Sequence, residues 1–343
     1  MGKIPLLDQD SVQKCSYSVN LPWSLKPVLP HELIGDVEST DVYVCRILDS
    51  KKISYVMEVL SKISPIFGLG HLKRVTTLVE KGLCVILCEA NGFSEDSCVT
   101  LFKEKGFSFD GLDPIPFKVS VPSVIPKTRK QYENASAMWS CNFTVDKYIE
   151  KIIDGSIFDA NDRKFQEHYM DIAYLAAEKS LEMNGVGVGC VIVDPVKSSI
   201  VAIAYDRRLS HPLKHAVMVA ADLTARVQGG GRWPVEEGMW ISPAKIERRV
   251  PCKRTKDFSF GDLASAYLCT GYDVYLTREP CAMCAMALVH CRARRVFFGC
   301  FNEGALGGKM KLHEMRGLNH CLEVFSGLHR RKCDRISCSV YKG

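Results

Sequence analysis

This sequence predicts an α/β protein of two unequal domains, a larger α/β unit preceded by a smaller α+β one. Three observations carry that expectation. The chain has 343 residues, long for a single hydrophobic core and suited to two. It is 47% hydrophobic and 24% charged, a globular balance that excludes a disordered or fibrous chain. Strand-like alternation and helical spacing take turns along it, broken once, around residues 121–140, by a stretch with neither. The expected organisation is an N-terminal domain over 1–120, a linker over 121–160 and a second domain over 161–343.

In the first domain, DVYVCRIL (Asp41 to Leu48) reads as a strand, and Ile53, Val56, Met57, Leu60 and Ile63 then recur at helical spacing. HLKRVTTL and LCVILCEA read as two strands with a turn at Glu80, Lys81 and Gly82. Ser94 is placed to cap a helix that stops at Gly106, and FKVSV (Phe117 to Val121) closes the set. The order βαββαβ predicts a ferredoxin-like sandwich. Val121 to Ser140 carries two prolines and a basic cluster with no sustained apolar period, which predicts a linker.

In the second domain, Phe165, Tyr169, Ile172, Ala173 and Ala176 mark one face of a helix over Arg163 to Asn184. GVGVGCVIVDP and SSIVAIAYDR read as paired strands, and LKHAVMVAADLTARV as a helix stopped by Gly229 to Gly231. A strand (DVYLT), a helix (CAMCAMALVHC) and a strand (RRVFFG) follow, so strands and helices alternate as in an α/β domain.

The sixteen cysteines are spread over a long chain that begins MGKIPLLDQD, without an apolar signal segment, so free or metal-bound thiols in a reducing compartment are expected. No run approaches the ~18 to 20 apolar residues of a membrane-spanning helix. The net charge of +6 is modest, but its distribution is uneven. Pro126 to Lys130, Pro243 to Lys256 and His329 to Lys332 are basic runs, for which a solvated loop face is the ordinary reading.

His215, Cys281 and Cys284 are the candidate metal ligands, the cysteines as thiolates and the histidine as neutral imidazole. Sixteen cysteines in 343 positions produce roughly 0.7 C-x-x-C pairs by chance, so the spacing alone carries little. The context carries more: PCAMC opens a helix between two strands, which sets both sulfurs on one turn near the helix's positive end. Two thiolates and one imidazole leave zinc a fourth position, for which water, Cys338, Asp334 and the terminal carboxylate are the candidates.

These residues resemble the cytidine deaminase fold, an α/β/α domain with a mixed central sheet and helices on both faces, whose signature is H-x-E followed by P-C-x-x-C. HAVMVAADLTARVQG, EPCAMCAMALVHCRARRVFFG and GALGGKMKLHEMRGLNHCLEVFSG are similar, more narrowly, to the non-catalytic subunit of the eukaryotic tRNA adenosine deaminase, over about Asp162 to Gly327. That resemblance implies Zn2+, a catalytic deaminase subunit as heterodimeric partner, tRNA as ligand, adenosine-to-inosine conversion at wobble position 34, an extra N-terminal domain, and a place in nucleus and cytoplasm. One residue departs from the enzyme pattern: His215-Ala216-Val217 puts valine where active relatives carry the proton-shuttling glutamate. Losing a general acid/base costs typically ~10²- to 10⁴-fold. Asp222 lies two turns on, roughly 10 Å along the helix axis, too far for direct transfer. Glu279 stays open as an unconventional base.

The candidate RNA contacts are His71, Lys73 and Arg74 on a predicted strand, Lys127, Arg129 and Lys130 in the predicted linker, and Lys245, Arg248, Arg249, Lys253, Arg254 and Lys256 in the insertion between the metal motifs. Ordinary solvated surface is the alternative for each group. Two other functions also stay open, an independently active nucleotide or cytidine deaminase and a zinc-stabilised RNA-binding adaptor.

Overall fold

The computed structural model describes residues 25–90, 92, 94–242, 267–302, 304–308, 310–315 and 317–339. They fall into two compact units, one from His31 to Asp154, the other joining the chain up to Pro30 with the chain from Gly155 onward. The smaller unit is thus an insertion in the larger. A two-residue strand, β1 (Lys26–Pro27), precedes it and belongs with the larger unit.

The inserted unit opens on a short helix, α1 (His31–Ile34), and continues through β2 (Ser39–Arg46), α2 (Ile53–Ile63), β3 (Val75–Leu78), β4 (Gly82–Glu89), α3 (Glu95–Glu104) and β5 (Phe117–Pro122). The sheet order β3-β4-β2-β5 is antiparallel throughout, with β4 between the two strands that α2 connects. This is the split arrangement expected from βαββαβ. Ser94 caps α3 by accepting from the Ser97 amide, as its position predicts. Tyr43, Cys45, Val85 and Leu87 face α2 and α3, packing against Val56, Leu60 and Phe102.

The opposite face is covered as well. Val42, Val44, Cys84 and Ile86 pack against Ala135, Trp139 and Cys141. Two of these flank or lie in α4 (Arg129–Met138), and the next helix is α5 (Lys147–Asp154). The predicted linker is therefore corrected: much of it is a helix and a buried tryptophan that complete the first domain's core. Thr128 and Gln131 form a reciprocal capping box, and the Gln131 amide donates to the carbonyls of Glu32 and Gly35 at 2.9 and 3.0 Å. Trp139 Nε1 donates to the Lys73 carbonyl at 2.6 Å.

The larger unit continues with α6 (Ala160–Glu182), β6 (Gly189–Asp194), β7 (Ser199–Tyr205), α7 (Ala216–Val227), β8 (Trp240–Ile241), β9 (Asp273–Arg278), α8 (Ala282–His290), β10 (Arg295–Cys300), β11 (Glu323–Ser326) and α9 (Arg330–Ser339). The seven-stranded sheet runs β1-β11-β10-β9-β6-β7-β8, parallel across β9, β10 and β11 and antiparallel elsewhere. It is the mixed sheet with helices on both faces that the resemblance implies. α6 packs on β6, β7 and β9 and meets α9, while α7 packs on β6 and β7 and meets α8. Gly189 permits the α6 approach, because a Cβ there would lie 1.9 Å from the Ala173 carbonyl oxygen. β1 closes one edge of this sheet, its Lys26 opposite Ser326, and His313 Nε2 bonds the neighbouring Val28 carbonyl at 2.9 Å. Among the described residues no helix is long and apolar enough to cross a membrane.

Candidate metal centre

The starts of α7 and α8 build the site. His215 is the N-cap of α7 and Cys281, after Pro280, the N-cap of α8; both have extended backbone and neither spends its side chain on a capping bond. Cys284, in the first turn of α8, lies above Cys281. Their ligand atoms and that of His215 all fall within 4.8 Å of one another, and His215 Nδ1 is 3.6 Å from Cys281 Sγ. Zinc–sulfur and zinc–nitrogen bonds of about 2.3 and 2.0–2.1 Å at a tetrahedral angle put such a pair about 3.6 Å apart, so the donor set fits zinc.

The electrostatics favour the same ligands. A hydrogen bond from the Cys284 thiol, helped by His215, outweighs burial and lowers the Cys281 thiol to about 5. Cys284, donating that bond and buried, is pushed up instead. Cys281 is thus the sulfur favoured to lose its proton first, and a metal bound by both sulfurs displaces the second.

The cluster lines a cavity of about 210 Å³. Val217, 3% exposed, forms part of its wall, so the valine stands beside the candidate metal ligands and brings no ionisable group there. Neighbouring carboxylates have other duties. Asp222 accepts from the Arg232 and Trp233 amides at 2.6 and 3.0 Å, pinning the turn after α7. Glu279 is buried and accepts from four backbone amides, those of Asn302, Leu306, Gly307 and Gly308, at 2.6 to 3.2 Å. It anchors the loop after β10, which crosses so closely that a Cβ on Gly304 would lie 2.8 Å from the Glu279 carboxyl carbon. Glu279 also borders the cavity, with its carboxylate committed to that loop. Asp206, buried in the cavity wall, takes both oxygens to Arg208 Nε at 3.0 and 2.9 Å. Arg278 donates to Asn302, and both line the same cavity. Sequence reasoning missed Asp206, Arg208, Arg278 and Asn302, which have no motif and meet only through the strand ends.

Comparison with known proteins places the chain. The family model described as the cytidine and deoxycytidylate deaminase zinc-binding region matches residues 163–300, and that of the tRNA-specific adenosine deaminase TAD3 N-terminal domain matches residues 40–139. The "Probable inactive tRNA-specific adenosine deaminase-like protein 3" of Danio rerio is 39% identical over 92% of this chain and 94% of its own. Its Homo sapiens counterpart, of the same name, is 36% identical over 91% of each chain. The chain belongs to the TAD3 family. A more distant member, the "tRNA-specific adenosine deaminase subunit tad3" of Schizosaccharomyces pombe, is 24% identical over 90% of this chain and 91% of its own.

The predicted RNA contacts of this TAD3-family chain separate on inspection. His71 and Arg74 are corrected: both are buried. His71 Nε2 donates to the Pro122 carbonyl at 3.1 Å, and Arg74 donates to the carbonyls of Ser64, Ile86 and Leu87 at 2.6 to 3.1 Å. The reason is a bulge in β4. Tyr43 opposes Cys88 and Val44 opposes Ile86, leaving Leu87 as the extra residue, and the Arg74 guanidinium satisfies carbonyls the ladder cannot. Lys73, Lys127, Arg129 and Lys130 are exposed, and Lys127 pairs with Glu32. Lys245, Arg248, Arg249, Lys253, Arg254 and Lys256 lie outside the described residues, as do the Cys338 side chain and the terminal carboxylate. Asp334 faces Arg330 on its own helix at 3.6 Å.

Proposed function

We propose that this chain is the non-catalytic subunit of a heterodimeric tRNA adenosine deaminase, paired with a catalytic deaminase subunit that converts adenosine to inosine at wobble position 34. The observation that carries this reading is Val217 in the cavity wall beside an intact His215, Cys281 and Cys284 cluster. The ligand-binding half of the chemistry is kept and the proton-transfer half is missing. The nearby carboxylates of Asp206 and Glu279 are held by Arg208 and by backbone amides, so neither supplies the missing step.

His215, Cys281 and Cys284 would hold zinc, which supplies a crosslink between the starts of α7 and α8. The names of the relatives support the rest: the yeast protein's calls it a subunit, and those of the fish and human proteins read "probable inactive". Exposed Lys73, Arg129 and Lys130 suit a sequence-independent phosphate contact.

The test is reconstitution. The endogenous protein is isolated with its bound partners, and tRNA adenosine deamination is measured for this chain, the partner, and both together. Turnover is expected only from the pair. Robust turnover by this chain alone would sink the proposal.

A further inference from the structure

Cys88 and Cys98 are unlike the other thiols of the inserted unit. By strand alternation Cys84, Ile86 and Cys88 share one face of β4, away from α3. The bulge at Leu87 breaks that alternation and turns Cys88 over with Tyr43 onto the helix face, where it packs at the edge of the α2–α3 core. Its Sγ lies 3.7 Å from the Sγ of Cys98, which α3 buries at 1% exposure. Cys88 itself is only half-buried, so one residue of the pair borders solvent and the other does not.

The surroundings favour a thiolate at Cys88. The hydrogen bond from the Cys98 thiol, with the Lys105 and Arg74 cations, outweighs burial and the Glu89 carboxylate and holds Cys88 below the usual thiol range. Arg74 is fixed there by its bond to the carbonyl of Leu87, the residue before Cys88. Neighbouring Cys45 is pushed up to about 12, mainly by burial, and remains a thiol. A half-buried cysteine with a lowered pKa, in sulfur contact with a buried thiol, is the arrangement of an attacking and a resolving cysteine.

We propose that Cys88 and Cys98 are an oxidisable dithiol that takes hydrogen peroxide as its oxidant, Cys88 attacking and Cys98 resolving. The Cys88 thiolate attacks one peroxide oxygen, the O–O bond breaks, and hydroxide leaves and takes up a proton to become water. Cys88 is now a sulfenic acid, oxidised by two electrons. The Cys98 sulfur then attacks the Cys88 sulfur, the S–O bond breaks, and the departing hydroxide takes the Cys98 proton as a second water. Two thiols and one peroxide thus become one disulfide and two waters. The bond would pin α3 to β4 across the bulge, and its formation is independent of the deaminase reading.

The experiment uses the reduced, full-length protein treated with a small excess of hydrogen peroxide and alkylated. Trypsin cuts after Lys81 and Lys103, and a glutamyl protease after Glu89 and Glu95, so that peptides 82–89 and 96–103 stay joined only if Cys98 is bridged. Fragment spectra then separate Cys88 from Cys84. The expected result is a Cys88–Cys98 link that forms before exposed Cys321 is oxidised. Cys98→Ser should instead accumulate a dimedone-reactive sulfenic acid at Cys88, and Cys88→Ser should show neither product. Should a variant fail to fold, phenylarsine oxide, which bridges paired thiols, is expected to protect both residues of the unmutated chain from alkylation. A persistent sulfenic acid at Cys88 without the link, a link to another cysteine, or prior oxidation of Cys321 would overturn the assignment.

Discussion

Two regions of this molecule hold polar side chains partly or wholly out of solvent for opposite reasons. At the starts of α7 and α8, His215, Cys281 and Cys284 have no capping duty and face one another around a cavity. At the β4 bulge, Arg74 is buried, and its Nε and Nη2 donors are spent on the carbonyls of Ser64, Ile86 and Leu87. The first cluster is left incomplete by the protein and so has capacity for a ligand. The second is completed by the protein's own backbone and has none. Residue chemistry is the same kind of signal in both; what differs is whether the backbone has already used it.

The largest expected effect tests the first half of that contrast. Purified protein should carry about one zinc per chain, and His215→Ala or Cys284→Ala should lose it together with cooperative unfolding of the larger unit, since metal binding there is folding energy. Metal analysis and melting curves decide this. A metal-free chain that melts like the wild type would remove the zinc assignment.

A smaller but still substantial loss is expected at the bulge. Arg74→Ala leaves buried carbonyls without donors and should destabilise the inserted unit by about 2–3 kcal/mol in denaturant titrations. Lys130→Ala, on exposed helix surface, should leave stability within about 0.5 kcal/mol but lower the salt dependence of tRNA binding by about one phosphate contact. If Arg74→Ala weakened tRNA binding without changing stability, the two residues would have to exchange roles.

Removal of the inserted unit sharpens the boundary. Deleting residues 1–140 also deletes β1 and bares the edge of β11, whereas replacing residues 31–154 by a flexible linker keeps it. The linker version should stay monodisperse when the simple truncation aggregates, as light scattering would show. Equal behaviour would mean that β1 adds little to the larger unit.

The smallest effect concerns pH. Glu236 accepts from Lys214 at 2.6 Å and Arg207 at 2.7 Å, holding the loop that leads to His215. Burial raises its pKa, but Lys214 and Arg207 outweigh this and leave it below the ordinary carboxylate value. A carboxylate lowered by folding stabilises fully above its unfolded value and ceases to as pH falls through the folded one. Acid should therefore loosen this loop, and Glu236→Gln should flatten that part of the stability profile. An unchanged profile would discount the clamp.

Much of the architecture is determined by local pattern. The apolar run of β2, the helical spacing of α2 and the Ser94 cap of α3 are set by neighbours in sequence, as are Cys281 and Cys284 one turn apart and the valine at 217. Helix α4 was legible as well: Thr128 and Gln131 have capping-box spacing, and the unbroken apolar runs VYVC and CVIL announce a sheet covered on both faces. Two prolines and a basic cluster outweighed those signs.

Other features had no local signal at all. The pairing of β1 with β11 joins residues some 300 positions apart. The four amides on Glu279 and the Asp206–Arg208 and Arg278–Asn302 pairs exist only where strand ends converge. The burial of Arg74 and the turning of Cys88 toward Cys98 both depend on one extra residue in β4, and a bulge shows itself only when two strands are laid side by side. Side-chain periodicity is a property of one segment. Register, backbone satisfaction and the company a side chain keeps are properties of two, and they were decided when the sheets closed.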